Sequence, residues 1–239
     1  MSDRKLANIE NVFFDLDDTL WACSQNAKNA LEKVYHKYQF DRYFDSFFHF
    51  YSLYSPENEI LWREYGSGAI TKDELNKRRF SYPLLSVGID KYDLVEQYRT
   101  SFFEQIKKEK ELMPGAKELL DYLAPNYNLY ILSNGFRELQ YSKMEASGIL
   151  SYFKEILLSE DFGVLKPDRE IFHQALATTH SLIENSVMVG DNWETDILGA
   201  KNVGLVQIFY NPGLTEVPLK NRSNTTYPVV SLAEIKTLL

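Results

Sequence analysis

Four aspartates and one lysine, each set after a short apolar run or before a proline, are the residues of this 239-residue chain best placed to do chemistry. Asp15 and Asp17 stand in Phe13-Phe14-Asp15-Leu16-Asp17-Asp18-Thr19-Leu20, behind Val12-Phe13-Phe14. Asp191 and Asp196 stand in Gly190-Asp191-Asn192-Trp193-Glu194-Thr195-Asp196, behind Val187-Met188-Val189. Each apolar run reads as a buried strand, and in an open parallel sheet ligands bind at the carboxyl ends of the strands. Carboxylates gathered there repel one another. Two unit charges about 4 Å apart interact by roughly 4 kcal/mol at an effective dielectric of about 20. A cation among them relieves that repulsion, and Mg²⁺, which takes oxygen ligands, is the simplest choice. The spacing points to a metal-dependent enzyme.

Two residues apart on a segment leaving a strand, Asp15 and Asp17 face the same side. Asp15 is the candidate nucleophile, attacking phosphorus to give an aspartyl-phosphate. Asp17 is the candidate acid and base, protonating the leaving alkoxide and later taking a proton from water. An aspartate is ordinarily ionised at neutral pH, with an unperturbed pKa of about 3.9. Acting as an acid therefore requires burial or a like-charged neighbour to raise Asp17. Each further feature has a plain structural use when taken alone. Ser133-Asn134-Gly135 is a turn, yet it also puts a hydroxyl and an amide where a phosphate oxygen can be held. Lys166-Pro167 sets an ammonium ahead of a helix N-terminus, beside phosphate and Asp15. Asp191 serves as a metal ligand, and Asp196, which could merely favour its helix dipole, follows five residues later. Together they fall in order at the ends of successive strands.

These positions require a scaffold, and the sequence supplies one. From Pro114-Gly115 onward strands and helices alternate. A helix is expected over 116–123, a strand over 127–132, a helix over 138–147 closed by Gly148, and a strand over 155–158. Pro167 is expected in the first turn of a helix. A strand over 187–189, a helix over 194–202 ended by Gly204 and a strand over 206–209 complete the series. Alternation of this kind predicts an α/β fold, a parallel sheet with helices on both faces. Residues 21–110 show no strand pattern and read as several helices, with breaks near Asp41, Ser55-Pro56, Gly66-Ser67-Gly68 and Val87-Gly88. The expected organisation is a core of residues 1–20 and 111–239, with a helical cap of residues 21–110 inserted after the first acidic loop.

Composition narrows the partners. Hydrophobic residues make up 44% and charged residues 25%, ordinary for a soluble globular protein. The formal net charge is −8 with no concentrated basic block, which argues against a nucleic acid polymer as partner. No apolar stretch approaches the roughly 20 residues needed to span a bilayer. The N-terminal residues lack the apolar segment of a secretory signal. Cys23 is the only cysteine, so no intrachain disulfide is expected and a cytoplasmic location follows.

In these motifs the chain resembles the haloacid-dehalogenase-like (HAD) superfamily of phosphohydrolases. Asp15-Leu16-Asp17-Asp18-Thr19 matches its first motif, Ser133 the second, Lys166 the third, and Gly190 to Asp196 the fourth. The likeness covers nearly the whole chain. It implies a Rossmann-like sheet core with a helical C1-type cap, and Mg²⁺ bound by Asp15, the backbone carbonyl of Asp17, and Asp191. Asp196 would support the metal through water or through Lys166. It also implies a phosphate held by Ser133, Asn134 and Lys166. Dehalogenases of the superfamily lack the second aspartate, so Asp17 favours metal-assisted phosphoryl transfer.

The inserted segment bears on substrate. Trp62-Arg63-Glu64-Tyr65-Gly66, Gly68-Ala69-Ile70-Thr71 and Arg78-Arg79-Phe80 look like the cap of bacterial pyrimidine-type 5'-nucleotidases, as does Ser133-Asn134-Gly135-Phe136. That likeness implies a nucleoside 5'-monophosphate phosphatase. Alternatives on the same scaffold are a sugar-phosphate or phosphoglycolate phosphatase and a phosphomutase. The partner is a small phosphate ester, and the protein a monomer or homodimer. Phe40, Tyr43, Phe44, Phe47, Phe48, Phe50, Tyr51 and Tyr54 have two uses: stacking on a nucleobase, or packing the small unit itself. Packing is favoured, because large aromatics dominate core burial. Arg63, Arg78 and Arg79 can meet a second substrate charge or be paired locally. Gly66 and Gly68 can hinge the cap or simply stop a helix.

Overall fold

The computed structural model describes residues 6–216 and 224–239. Residues 1–5, part of the segment read as lacking a secretory signal, lie outside them. The chain divides into two compact units, Met1–Cys23 with Lys110–Leu239, and Ser24–Glu109. Among the described residues no helix is long and apolar enough to cross a membrane.

In the first unit the strands are β1 (Asn11–Phe14), β2 (Asn128–Ser133), β3 (Glu155–Leu158), β4 (Ser186–Gly190), β5 (Val206–Tyr210) and β6 (Thr226–Val229). They form one sheet in the order β3-β2-β1-β4-β5-β6, parallel throughout. This is the Rossmann strand order, in which the chain's direction of travel across the sheet reverses between β1 and β4. β1 is the central strand, with Phe14 paired to Ile131 on one side and Val189 on the other. All four β1 residues are buried, as expected for a central parallel strand covered on both faces. The segments that follow β1, β2 and β4 therefore leave the sheet side by side at the switch point. On one face, Ile171, Phe172 and Ala175 join Phe13, Leu132 and Met188 in a buried cluster. The Phe13 and Tyr130 rings stack there at 5.0 Å.

The helices of the whole chain are numbered in sequence. The second unit holds α1 (Cys23–Lys37, its first residue belonging to the sheet unit), α2 (Phe47–Gly66), α3 (Lys72–Ser86) and α4 (Tyr92–Ile106). The sheet unit adds α5 (Ala116–Leu123), α6 (Arg137–Ala146), α7 (Ser159–Phe162), α8 (Arg169–Thr178) and α9 (Gly199–Asn202). Within the helical unit, Phe40, Phe44, Phe50, Tyr54, Phe80, Tyr98 and Phe102 are all buried. Some of their rings meet edge to face, as in Phe40–Tyr98 at 5.2 Å and Phe44–Phe50 at 5.2 Å, and others tilted or stacked, as in Phe50–Tyr54. Thr71 and Glu74 close a capping box at the start of α3.

Three local expectations change, and one further strand appears. Ser55-Pro56 does not break the chain, because Pro56 lies inside α2. An interior proline costs about 3 kcal/mol, and the buried stripe Phe50, Tyr54 and Leu61 keeps the helix continuous across it. Pro167 precedes α8 rather than entering it, since Asp168 is the cap and accepts from the Glu170 N–H at 2.9 Å. The helix expected over 194–202 is a wide π turn, Trp193–Leu198, followed by α9. Strand β6 was hidden by Pro228, which an edge strand tolerates.

Candidate active site

Asp15 follows β1 directly, and its N–H still donates to Val189 O at 2.9 Å, so the ladder fixes where the carboxylate emerges. Lys166, only 1% exposed, places its ammonium 2.7 Å from Asp15 Oδ1 and 2.7 Å from Asp196 Oδ1. One ammonium thus serves two carboxylates and is held firmly charged, its pKa raised by Asp15 and Asp196 against the opposing effect of burial. The carboxylates are less well compensated. Burial pushes Asp15 up to about 7, with Asp196 and Asp17 adding to the rise and Lys166 opposing it. Among the described residues no donor reaches Asp15 Oδ2, which leaves that oxygen available as nucleophile or ligand.

Asp191 leaves β4 beside Asp15. Thr19 orients it, its hydroxyl donating to Asp191 Oδ1 at 2.9 Å while accepting from the Asp191 N–H at 3.0 Å. Burial, then the charges of Asp15 and Asp196, push Asp191 up to about 8, with the Thr19 hydrogen bond opposing. Asp196 returns to the same point through the π turn. Its Oδ2 accepts from the Asn192 N–H at 3.1 Å, and its Oδ1 is shared by Lys166 and Thr195 Oγ1. Gly190 permits this approach, since a Cβ there would lie 2.3 Å from Asp196 Oδ2. With its oxygens already engaged, Asp196 anchors Lys166 and the loop.

Ser133 ends β2. Its oxygen accepts twice, from the Gly135 N–H at 3.1 Å and Gln140 Nε2 at 2.7 Å, so its own hydroxyl hydrogen remains to donate. Asn134 clamps the Lys166 backbone: its Nδ2 donates to Lys166 O at 3.0 Å and its Oδ1 accepts from Lys166 N at 2.8 Å. One Nδ2 hydrogen is left over. The amide thus positions Lys166 first, a use that its place in a turn sequence did not announce.

Asp17 departs from expectation. Burial raises its pKa, but the ion pair and hydrogen bond from Lys143 at 2.6 Å, Gln140 Nε2 at 2.9 Å and the Cys23 thiol more than reverse that, leaving it lowered. The free protein holds Asp17 ionised, ready to take a proton. Thr19, Gln140 and Lys143 were not assigned roles from the sequence. Thr19 lies inside the Asp-Leu-Asp-Asp-Thr run, where it was available as a signal. Gln140 and Lys143 lie in a helix, where polar residues ordinarily read as a solvated face.

Carboxylate oxygens of Asp15, Asp191 and Asp196 lie within 4.8 Å of one another. With Asp17, four carboxylates face two ammoniums, Lys143 and Lys166, leaving two formal negative charges. Burial first, and then that excess of negative charge, raises Asp15 and Asp191. An all-oxygen donor set short of two positive charges fits a hard divalent cation.

The model of the haloacid dehalogenase-like hydrolases matches residues 12–209. The chain is 32% identical over 229 residues to pyrimidine 5'-nucleotidase YjjG of Escherichia coli, covering 95% of this chain and 96% of that one. It is 31% identical over 215 residues to glyceraldehyde 3-phosphate phosphatase of Pyrococcus abyssi, covering 86% and 82%. Among solved structures, YfnB of Bacillus subtilis, bound to magnesium, superposes with a TM-score of 0.84 at 27% identity, covering 96% and 98%.

Proposed function

The chain belongs to the haloacid dehalogenase-like hydrolases and is a phosphoric monoester hydrolase, and from that premise we propose that it hydrolyses nucleoside 5'-monophosphates through an aspartyl-phosphate on Asp15. The observation that carries the substrate class is the 32% identity to a pyrimidine 5'-nucleotidase across 95% of this chain. A sugar phosphate is the second reading, supported by 31% identity to a glyceraldehyde 3-phosphate phosphatase.

In the proposed reaction Ser133 donates its hydroxyl hydrogen to a phosphoryl oxygen, and Asn134 offers its remaining N–H. Lys166, anchored by Asp196, faces the same group and holds Asp15 in place. Asp15 attacks phosphorus, and the leaving oxygen takes a proton from Asp17. The dianionic substrate brings negative charge to Asp17, which favours the protonated form that this step needs. Water then attacks the aspartyl-phosphate, giving its proton back to Asp17 and freeing Asp15. Asp15, Asp191 and the Asp17 backbone carbonyl would hold Mg²⁺, which supplies positive charge to the phosphoryl oxygens. Cytoplasmic action is part of the same proposal.

The test is phosphate release from a panel of monoesters, with Mg²⁺ and with EDTA. Metal-dependent release greatest from pyrimidine nucleoside monophosphates is expected. Release concentrated on sugar phosphates would overturn the substrate class, and full release in EDTA would overturn the metal.

A further inference from the structure

Gln140 and Lys143 lie one turn apart on α6, and both reach Asp17. Gln140 is fully buried, and its Nε2 donates to Ser133 Oγ at 2.7 Å and to Asp17 Oδ2 at 2.9 Å. Both amide hydrogens are thereby used, while its Oε1 is buried with no partner among the described residues. An orphaned carbonyl is unfavourable. Turning the amide over would give that oxygen the Ser133 hydroxyl, but would set it against the Asp17 carboxylate. Gly135 makes room for the arrangement, because a Cβ there would lie 2.1 Å from Gln140 Nε2. Lys143, whose side chain is 7% exposed, sets its ammonium 2.6 Å from Asp17 Oδ1 and 4.7 Å from the centre of the buried Trp21 ring. A lysine serving only solubility would extend into water. This one is turned inward onto the other oxygen of the same carboxylate.

A single donor would leave a carboxylate free to rotate about its contact. Two donors on two oxygens, both carried by one helix, fix its plane. We propose that Gln140 and Lys143 are positioning residues for Asp17, locking its carboxylate in register with the phosphate-holding Ser133 hydroxyl. The inference rests on the reading of Asp15 and Asp17 given above.

The two halves of that reaction make the idea testable. In the first, an Asp15 oxygen bonds to phosphorus and the phosphorus–ester oxygen bond breaks. The electron pair goes to the ester oxygen, and an alkoxide then takes the Asp17 proton. 4-Nitrophenolate is stable as an anion and leaves without that proton. In the second half, water oxygen bonds to phosphorus, the bond to Asp15 breaks, and the water proton passes to Asp17. Displacing the Asp17 carboxylate therefore slows both halves for an alkyl ester, but only the second for an aryl ester. A misplacement of about 1 Å can cost about a hundredfold.

The experiment compares wild type with Lys143→Met and Gln140→Leu in stopped flow with Mg²⁺. The substrates are 4-nitrophenyl phosphate and uridine 5'-monophosphate, or ribose 5-phosphate if wild type prefers it. For each variant kcat/KM on the alkyl ester should fall about a hundredfold. On the aryl ester kcat and KM should fall together, with kcat/KM close to wild type and a burst of one 4-nitrophenolate per protein. Equal loss of kcat/KM on both esters without a burst would overturn the inference alone. A wild type inert on every ester, or an active Asp15→Asn protein, would overturn the reading of the site and this inference with it. Should Lys143→Met fail to fold, Gln140→Leu carries the same test.

Discussion

In the sheet unit, charged side chains at the carboxyl edge of β1 are tied to one another: Lys166 to Asp15 and Asp196, Lys143 to Asp17, Thr19 to Asp191. In the helical unit, residues 24–109, the buried interior is rich in aromatic rings, and the neighbouring arginines Arg78 and Arg79 are used locally. Arg78 pairs with Glu64 at 2.6 Å and lies 3.7 Å from Glu57, while the buried Arg79 lies against Trp62, Phe80 and Phe103 and reaches Asn76 at 2.6 Å. The contrast teaches where each kind of information sits. Groups gathered about one point are held by strand ends and hydrogen bonds, so their identity and spacing are constrained. Groups that build a core need only the right size and burial, so their sequence says little about a ligand.

The sharpest way to break that contrast is to remove charge from the first region. Asp15→Asn should lower kcat/KM for phosphate release by at least about 10⁴-fold, the scale of losing a covalent nucleophile. Lys166→Met should lose activity as well. It should also destabilise the protein by about 3–5 kcal/mol, because it leaves two buried carboxylates without their shared partner. Denaturant unfolding measures the second effect, and a stable, active Lys166→Met protein would mean that the bridge is incidental.

Removing bulk from the second region should do the opposite. Phe50 is 1% exposed among Tyr35, Phe40, Phe44 and Tyr54. Phe50→Ala should cost about 3–5 kcal/mol of stability, with kcat on 4-nitrophenyl phosphate retained at temperatures where the variant stays folded. Loss of kcat without loss of stability would show that this aromatic core carries chemistry after all.

Proton linkage sharpens the comparison further. Asp15 at about 7 and Asp191 at about 8 hold protons that an ordinary carboxylate, at 3.8, would have released. Between these limits the metal-free folded state binds more protons than the unfolded state, so its stability falls as pH rises from about 4 to about 8. A divalent cation must displace those protons. Its affinity should therefore rise with pH up to about 8, by about tenfold per unit for each proton displaced. The gain in Tm on adding Mg²⁺ should be larger at pH 8.5 than at pH 6. Equal gains would mean that the carboxylates are ionised before the ion arrives.

Much of the sheet and its site was legible in the sequence because short apolar runs ending in Asp, Ser or Gly-Asp report both a buried strand and its functional end. Three kinds of information were not. Strand β6 contains Pro228, and its place at the sheet edge is a tertiary fact. Pro56 reads as a break because local propensity cannot register the packing that holds α2 together. Gln140 and Lys143 look like solvated helix positions until the fold turns them onto Asp17, and Asn134 reads as a turn residue until its amide meets the Lys166 backbone.

The aromatic run of the helical unit offers the finest test. Phe40, Phe44, Phe50 and Tyr54 are buried and so belong to packing, whereas Phe48 is 77% exposed. Single exposed apolar side chains are common on soluble proteins. Phe48→Ser should accordingly change stability by no more than about 0.5 kcal/mol. Stacking of a base on an aromatic ring contributes about 1–3 kcal/mol, so a base resting on Phe48 would raise KM for a nucleoside monophosphate by about fivefold or more in the serine variant. The ribose 5-phosphate KM would stay fixed. We expect neither KM to move, because nothing in the packing of this unit distinguishes Phe48 as a platform. A rise confined to nucleotides would transfer one residue from the packing region to the recognition of substrate, and would be direct support for a nucleobase in the leaving group.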